Sequence, residues 1–151
     1  MLFSVIIFII DQIVKLCVGF FIPLNTSITV FKNLFYISDV HNYGAAFSIL
    51  YGNRIFLIIV SVLTLVLVYH FLLKNRKFSW MDISIYSLLI GGILGNLFDR
   101  IIYGYVVDYL DFYFFNYNFP IFNIADICIV CSVVLIIIDT LRGGKGEIKS
   151  K

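Results

Sequence analysis

Apolar and polar positions along the chain fall into a coarse alternation. Four apolar stretches, at residues 2–22, 55–73, 83–103 and 124–141, each approach the ~20 residues needed to cross a bilayer. The pattern therefore predicts a polytopic membrane protein of four transmembrane helices. Between them lie a segment of about thirty residues (23–54), a short basic one, and a segment of about twenty residues (104–123). Connectors in helical bundles are commonly only ~2–8 residues, so the two long segments carry structure or function of their own. In the first of them, Ile28-Thr29-Val30-Phe31 and Leu34-Phe35-Tyr36-Ile37 flank Lys32-Asn33 and read as a small β-hairpin. The second is aromatic from Tyr105 through Phe119, which suits a membrane–water interface. No internal repeat or linker interrupts the pattern, and residues 1–151 read as one membrane-embedded domain.

Composition removes the alternatives. Hydrophobic residues make up 62% of the 151 and charged ones 13%, against ordinary shares near ~45–50% and ~25%. Mean hydropathy is +1.03. A soluble globule of this size could not cover its surface with nine acids and eleven bases. Disorder is excluded on the same figures, and a net charge of +2 steers no nucleic acid. Basic residues set the orientation: Lys74, Arg76 and Lys77 follow the second span, and Arg142, Lys145, Lys149 and Lys151 follow the fourth. Both groups then face the cytoplasm, as do both termini, and segments 23–54 and 104–123 face outward. The first span is expected to be retained, since it has no basic flank or small-x-small cleavage site and carries Asp11 and Lys15.

Ionisable residues inside spans are costly and become functional candidates. Asp11 and Lys15, four apart, share a helical face and can pair. Gly92, Asn96, Asp99, Arg100 and Tyr103 form one polar stripe on the third span, and Gly91 and Gly95 permit close helix packing. Asn123 and Asp126 share a face at the start of the fourth span, where Asn123 can also cap the helix. The topology puts Asp108 and Asp126 on the same side. Two carboxylates brought together hold one proton between them, which is the chemistry of an aspartic peptidase. Spacing alone leaves open a structural network built from Asp99, Arg100, Asp111, Asp11 and Lys15.

Other chemistries fit less well. Cys128-x-x-Cys131 lies inside an apolar helix and reads as packing. His41 and His70 are expected at opposite membrane faces, so no metal site is read, and no cofactor is called for. The glycine-rich tail after Arg142 lacks the spacing of a phosphate loop.

Five motifs, in order along nearly the whole chain, resemble the bacterial lipoprotein signal peptidase family (signal peptidase II). They are Asp11-Gln12-x-x-Lys15, Asn42-x-Gly44-Ala45-Ala46-Phe47, Gly92-x-x-Gly95-Asn96-x-x-Asp99-Arg100, Gly104-x-Val106-x-Asp108 and Phe122-Asn123-x-Ala125-Asp126. Tyr109 departs from the phenylalanine frequent after the motif aspartate. The resemblance implies four transmembrane helices with a small extracytoplasmic β-cradle and a short interfacial helix over the site. It implies an aspartic endopeptidase with Asp108 and Asp126 as the catalytic dyad. Asn42, Gly44, Asn96, Arg100, Asn123 and Ala125 would support site and substrate, and Asp11, Lys15 and Asp99 would be structural. The implied substrate is a diacylglyceryl-modified prolipoprotein, cut before its lipidated cysteine. The implied setting is the bacterial cytoplasmic membrane, with the site near the outer leaflet, membrane lipids as partners and a monomeric enzyme. The rival reading is a small proton-coupled membrane transporter, which predicts carboxylates at several depths along one route. An assembly factor whose polar residues only hold helices together is a third.

Overall fold

The computed structural model describes residues 2–45, 49–74, 78–115 and 117–142. Its elements run α1 (Leu2–Phe21), β1 (Ser27–Phe31), β2 (Phe35–Asn42), α2 (Arg54–Leu67, continued by a π-helical turn over Val68–Leu73), α3 (Trp80–Ile102), β3 (Val106–Phe114), β4 (Tyr117–Asn118) and α4 (Ile124–Leu141). The four helices are long and apolar enough to span a membrane, and their bounds follow the apolar stretches closely. α3 starts at Trp80, earlier than the hydropathy pattern predicts. Ser79 and Asp82 form a capping box there: Asp82 N–H donates to Ser79 Oγ (3.1 Å) and Ser79 N–H to Asp82 Oδ2 (2.9 Å). Asp82, which hydropathy assigns to the connector, is thus part of the helix start.

α3 is the central helix and packs against α1, α2 and α4. Small residues make this possible. A Cβ on Gly91 would lie 2.8 Å from Ile7 Cβ and from the Ser4 carbonyl of α1. One on Gly92 would meet the Ala125 carbonyl of α4, and one on Gly95 would overlap Asp11. Outward-facing side chains of α1 and α2, such as Phe20 and Phe71, are exposed and apolar, as expected of surfaces in contact with lipid.

The strands form one antiparallel sheet in the order β1-β2-β3-β4. The hairpin lies where the sequence places it, with Phe31 opposite Phe35 and Asn33 in the left-handed conformation (φ 62°) at the turn. Its second strand runs on to Asn42 and pairs with β3, so Val40 faces Asp108 and Asn42 faces Val106. The aromatic segment after α3 is therefore a strand. Among the described residues there is no short helix beyond those given; residues 49–52 form turns, and residues 46–48 lie outside the description.

The sheet sits at the end of the bundle where α1 and α3 finish and α4 begins. Val18 and Ile22 pack with Val107 and Tyr109 in a buried cluster. α3 turns into the sheet at Gly104 (φ 88°), whose N–H donates to the Asp99 carbonyl. Arg54, the first residue of α2, clasps the same end, donating to the carbonyls of Arg100 and Ile101 (both 2.6 Å).

Candidate active site

The site begins with the way α4 starts. Asn123 is extended (φ −132°, ψ 177°) and caps the helix, its Oδ1 accepting from Asp126 N–H at 3.0 Å. Asp126 returns the bond, its Oδ2 accepting from Asn123 N–H at 3.2 Å. The capping expected of Asn123 is thus present, and it leaves the side-chain amide available. The side-chain amide of Asn123 remains free to donate to Asp108 Oδ1 (2.7 Å) and to Asn96 Oδ1 (3.2 Å). Asn42, at the end of β2, donates to Asp108 Oδ2 (2.9 Å), and Asn96 donates to Asp126 Oδ1 (2.7 Å).

Both carboxylates line one cavity of about 440 Å³ together with Asn42, Asn96 and Arg100. Its remaining wall is largely apolar, from Phe119, Ile121, Phe122, Ile127 and Val130. Burial pushes the Asp108 carboxyl up to about 7, helped by the negative charge of Asp126 and opposed by the amides of Asn42 and Asn123. Asp108 therefore holds its proton into the neutral range. Arg100 reaches into the same cavity, where it donates to the carbonyls of Gly44 (2.9 Å) and Asn96 (3.2 Å). Gly44 N–H in turn donates to Asn42 Oδ1 at 2.9 Å, so Arg100 and Gly44 orient the amide that faces Asp108.

Behind the cavity lies a buried ionic layer. Lys15 Nζ pairs with Asp11 (2.8 Å) and Asp99 (2.7 Å), and donates to Asn96 Oδ1 (3.0 Å). Asp11 Oδ1 accepts from Ala125 N–H (3.2 Å), tying α1 to the first turn of α4. Fully buried Asp11 and Asp99 thus hold Lys15. Lys15 holds Asn96, and Asn96 holds Asp126. A transporter would spread such carboxylates along a route; here Asp11, Asp99, Asp108 and Asp126 join one network, while Asp82 caps the opposite end of α3.

The sequence reading missed several contributors. Gln12 donates to Asp99 Oδ1 (2.9 Å) and was legible as a motif position but not as a partner of Asp99. Arg54 carried no distinctive signal, and Phe119 and Phe122 were legible as an aromatic end and a motif position but not as a cavity wall. Cys131 departs from the packing expected of it: it is exposed and lines the cavity, while Cys128 is buried. Tyr109 has a structural explanation, because its hydroxyl accepts from Ile124 N–H (3.2 Å) and joins β3 to the start of α4.

The model of the family described as "Signal peptidase (SPase) II" matches residues 3–142. The chain belongs to the signal peptidase II family. Among signal peptidase II relatives, a lipoprotein signal peptidase of Vibrio parahaemolyticus is 41% identical over 148 residues, covering 92% of this chain and 85% of its own. One from Staphylococcus aureus is 38% identical over 142 residues, with 93% and 86% covered. Two solved structures described as bacterial membrane enzymes superpose with TM-scores of 0.83 and 0.79 at 36% and 38% identity. They cover 99% and 93% of this chain, and 92% and 90% of theirs. Signal peptidase II membership makes the chain a membrane peptidase.

Proposed function

We propose that the chain is an intramembrane aspartic endopeptidase that removes signal peptides from diacylglyceryl-modified prolipoproteins, cutting before the lipidated cysteine. The observation that carries this reading is the convergence of Asp108 and Asp126 on one cavity, each held by asparagine amides, with burial raising Asp108.

Asp108 holds the proton and passes it to the scissile carbonyl oxygen, while Asp126 takes a proton from the attacking water. The tetrahedral diol collapses with loss of the C–N bond. Asp126 passes its proton to the leaving nitrogen, and Asp108 recovers one from the diol. Asn42, Asn96 and Asn123 fix the two carboxylates, and Arg100 with Gly44 fixes Asn42. The apolar wall suits a signal peptide, itself an apolar helix, and the lipid chains on the cysteine that follows it. No step calls for a metal.

The whole chain acts as one membrane-embedded domain, as a monomer in the bacterial cytoplasmic membrane. Lys74 and Arg142 lie at the ends of α2 and α4 remote from the sheet, which supports cytoplasmic termini and an outward-facing site. The other basic residues of those segments lie outside the described residues.

The test is cleavage of a lipidated precursor in detergent by Asp108→Asn and Asp126→Asn separately. Each variant is expected to fold and to lose about 10²–10⁴-fold in turnover. Substantial activity in either sinks the dyad. An unlipidated precursor should be cut poorly; equal rates remove the proposed specificity.

A further inference from the structure

Strand alternation gives the sheet a second working face. Asn42 and Asp108 face the candidate active site, while Asp39, His41 and Tyr105 line a separate pocket of about 500 Å³ against the last turns of α1. Asp39 is 3% exposed, and its Oδ1 has no hydrogen-bond partner among the described residues. Its other oxygen points at Gly19 of α1, which lines the same pocket: a Cβ there would lie 3.9 Å from Oδ2. His41 Nε2 stands 3.6 Å from Asp39, beyond hydrogen-bond reach, and burial lowers the proton affinity of the ring. Lys15 and Asp99 also border the pocket, but Lys15 is already held by two carboxylates, Asp11 and Asp99. On the sheet's side of the pocket, Asp39 is the carboxylate whose Oδ1 no donor reaches among the described residues.

Aromatic rings line the pocket together with that carboxylate. His41 stacks on Tyr105 (3.7 Å between centroids), and Tyr103 stacks beside Tyr105 (6.0 Å). A buried anion beside tyrosine rings is a receptor for an organic ammonium, bound by charge and by cation–π attraction. The rim settles the source. Leu16 and Phe20 of α1 border the pocket and are mostly exposed on a membrane-spanning helix, so it opens toward acyl chains near the end of the span.

We propose that this pocket binds the ammonium headgroup of an aminophospholipid, on the face of the sheet opposite the candidate catalytic residues. The net charge of +2 favours anionic lipid in general, so a preference for the zwitterionic lipid would have to come from a local site.

The test is native mass spectrometry of the detergent-purified full chain, exchanged against equal phosphatidylethanolamine and phosphatidylglycerol. Wild type is expected to retain phosphatidylethanolamine by about tenfold over phosphatidylglycerol, the scale of one desolvated cation–π contact. Asp39→Asn removes the charge, and Gly19→Leu fills the pocket beside it while leaving the charge in place; each should bring the ratio to near one. Melting temperatures identify a misfolded variant, and the other then decides. Equal retention by wild type overturns the proposal, as does a preference that survives in the folded variants. Displacement of the lipid by millimolar ethanolamine overturns the lipid assignment in favour of a soluble amine.

Discussion

Asn123 and Asp126 hold each other through two reciprocal hydrogen bonds, 3.0 and 3.2 Å, that both start α4 and orient a candidate catalytic carboxylate. Stability and chemistry meet in this pair, and substitutions can separate them. Asn123→Ala should cost about 1 kcal/mol through the lost cap. Turnover should fall further than that, because the bonds to Asp108 and Asn96 go as well. Asn123→Ser keeps a capping oxygen and should recover the melting temperature without recovering turnover. Parallel recovery of both would mean that Asn123 acts on helix stability alone.

The raised Asp108 carboxyl predicts the sign of the pH dependence. In the proposed mechanism Asp108 starts protonated, and a proton held with an affinity near 7 is lost as pH rises through that value. Turnover should therefore decline on the alkaline side of about pH 7. Asn42 donates to Asp108 and favours its anion, so Asn42→Ala should move the decline to higher pH. A profile of kcat/KM against pH checks both, and a flat profile through pH 9 contradicts the assignment.

Lys15 is the cation between two fully buried aspartates. Lys15→Met strands both carboxylates and should destabilise the protein by about 3–5 kcal/mol, measured by thermal melting in detergent. A Lys15→Met, Asp99→Asn double variant should lose less than the sum of the two singles, since one stranded charge is then gone.

Gly95→Ala should destabilise despite the better helix propensity of alanine. The added methyl would overlap Asp11 and press α1 away from α3. Overpacking of this kind costs about 1–3 kcal/mol. A melting temperature at or above wild type would show that α1 can shift to make room.

The sequence reveals the helices because twenty apolar residues in a row have few other fates, and it reveals the hairpin because Lys32-Asn33 splits two runs rich in β-branched and aromatic residues. Asn123 and Asp126, three apart, were legible as one face. The strand Val106–Phe114 was not. Asp108 and Asp111 interrupt it on an irregular period, and both of its faces are partly covered, so no clean alternation survives. Its partner in β2 lies some sixty residues away in sequence, and that register alone brings Asn42 to Asp108. Local spacing cannot encode such a contact. Asp39 likewise reads as an ordinary polar residue of a strand until the sheet is assembled around it.

The two faces of the sheet differ by a single step along the chain. Val107 and Asp108 are adjacent, as are His41 and Asn42, with no spare residue between one compartment and the other. Substitutions in this stretch alter one compartment at a time. A one-residue insertion or deletion between Gly104 and Asp108 would instead exchange their contents, turning Asp108 away from Asn123 and toward Asp39. The Lys32-Asn33 tip bears no such constraint, so length variation among functional variants should gather there and stay out of the start of β3.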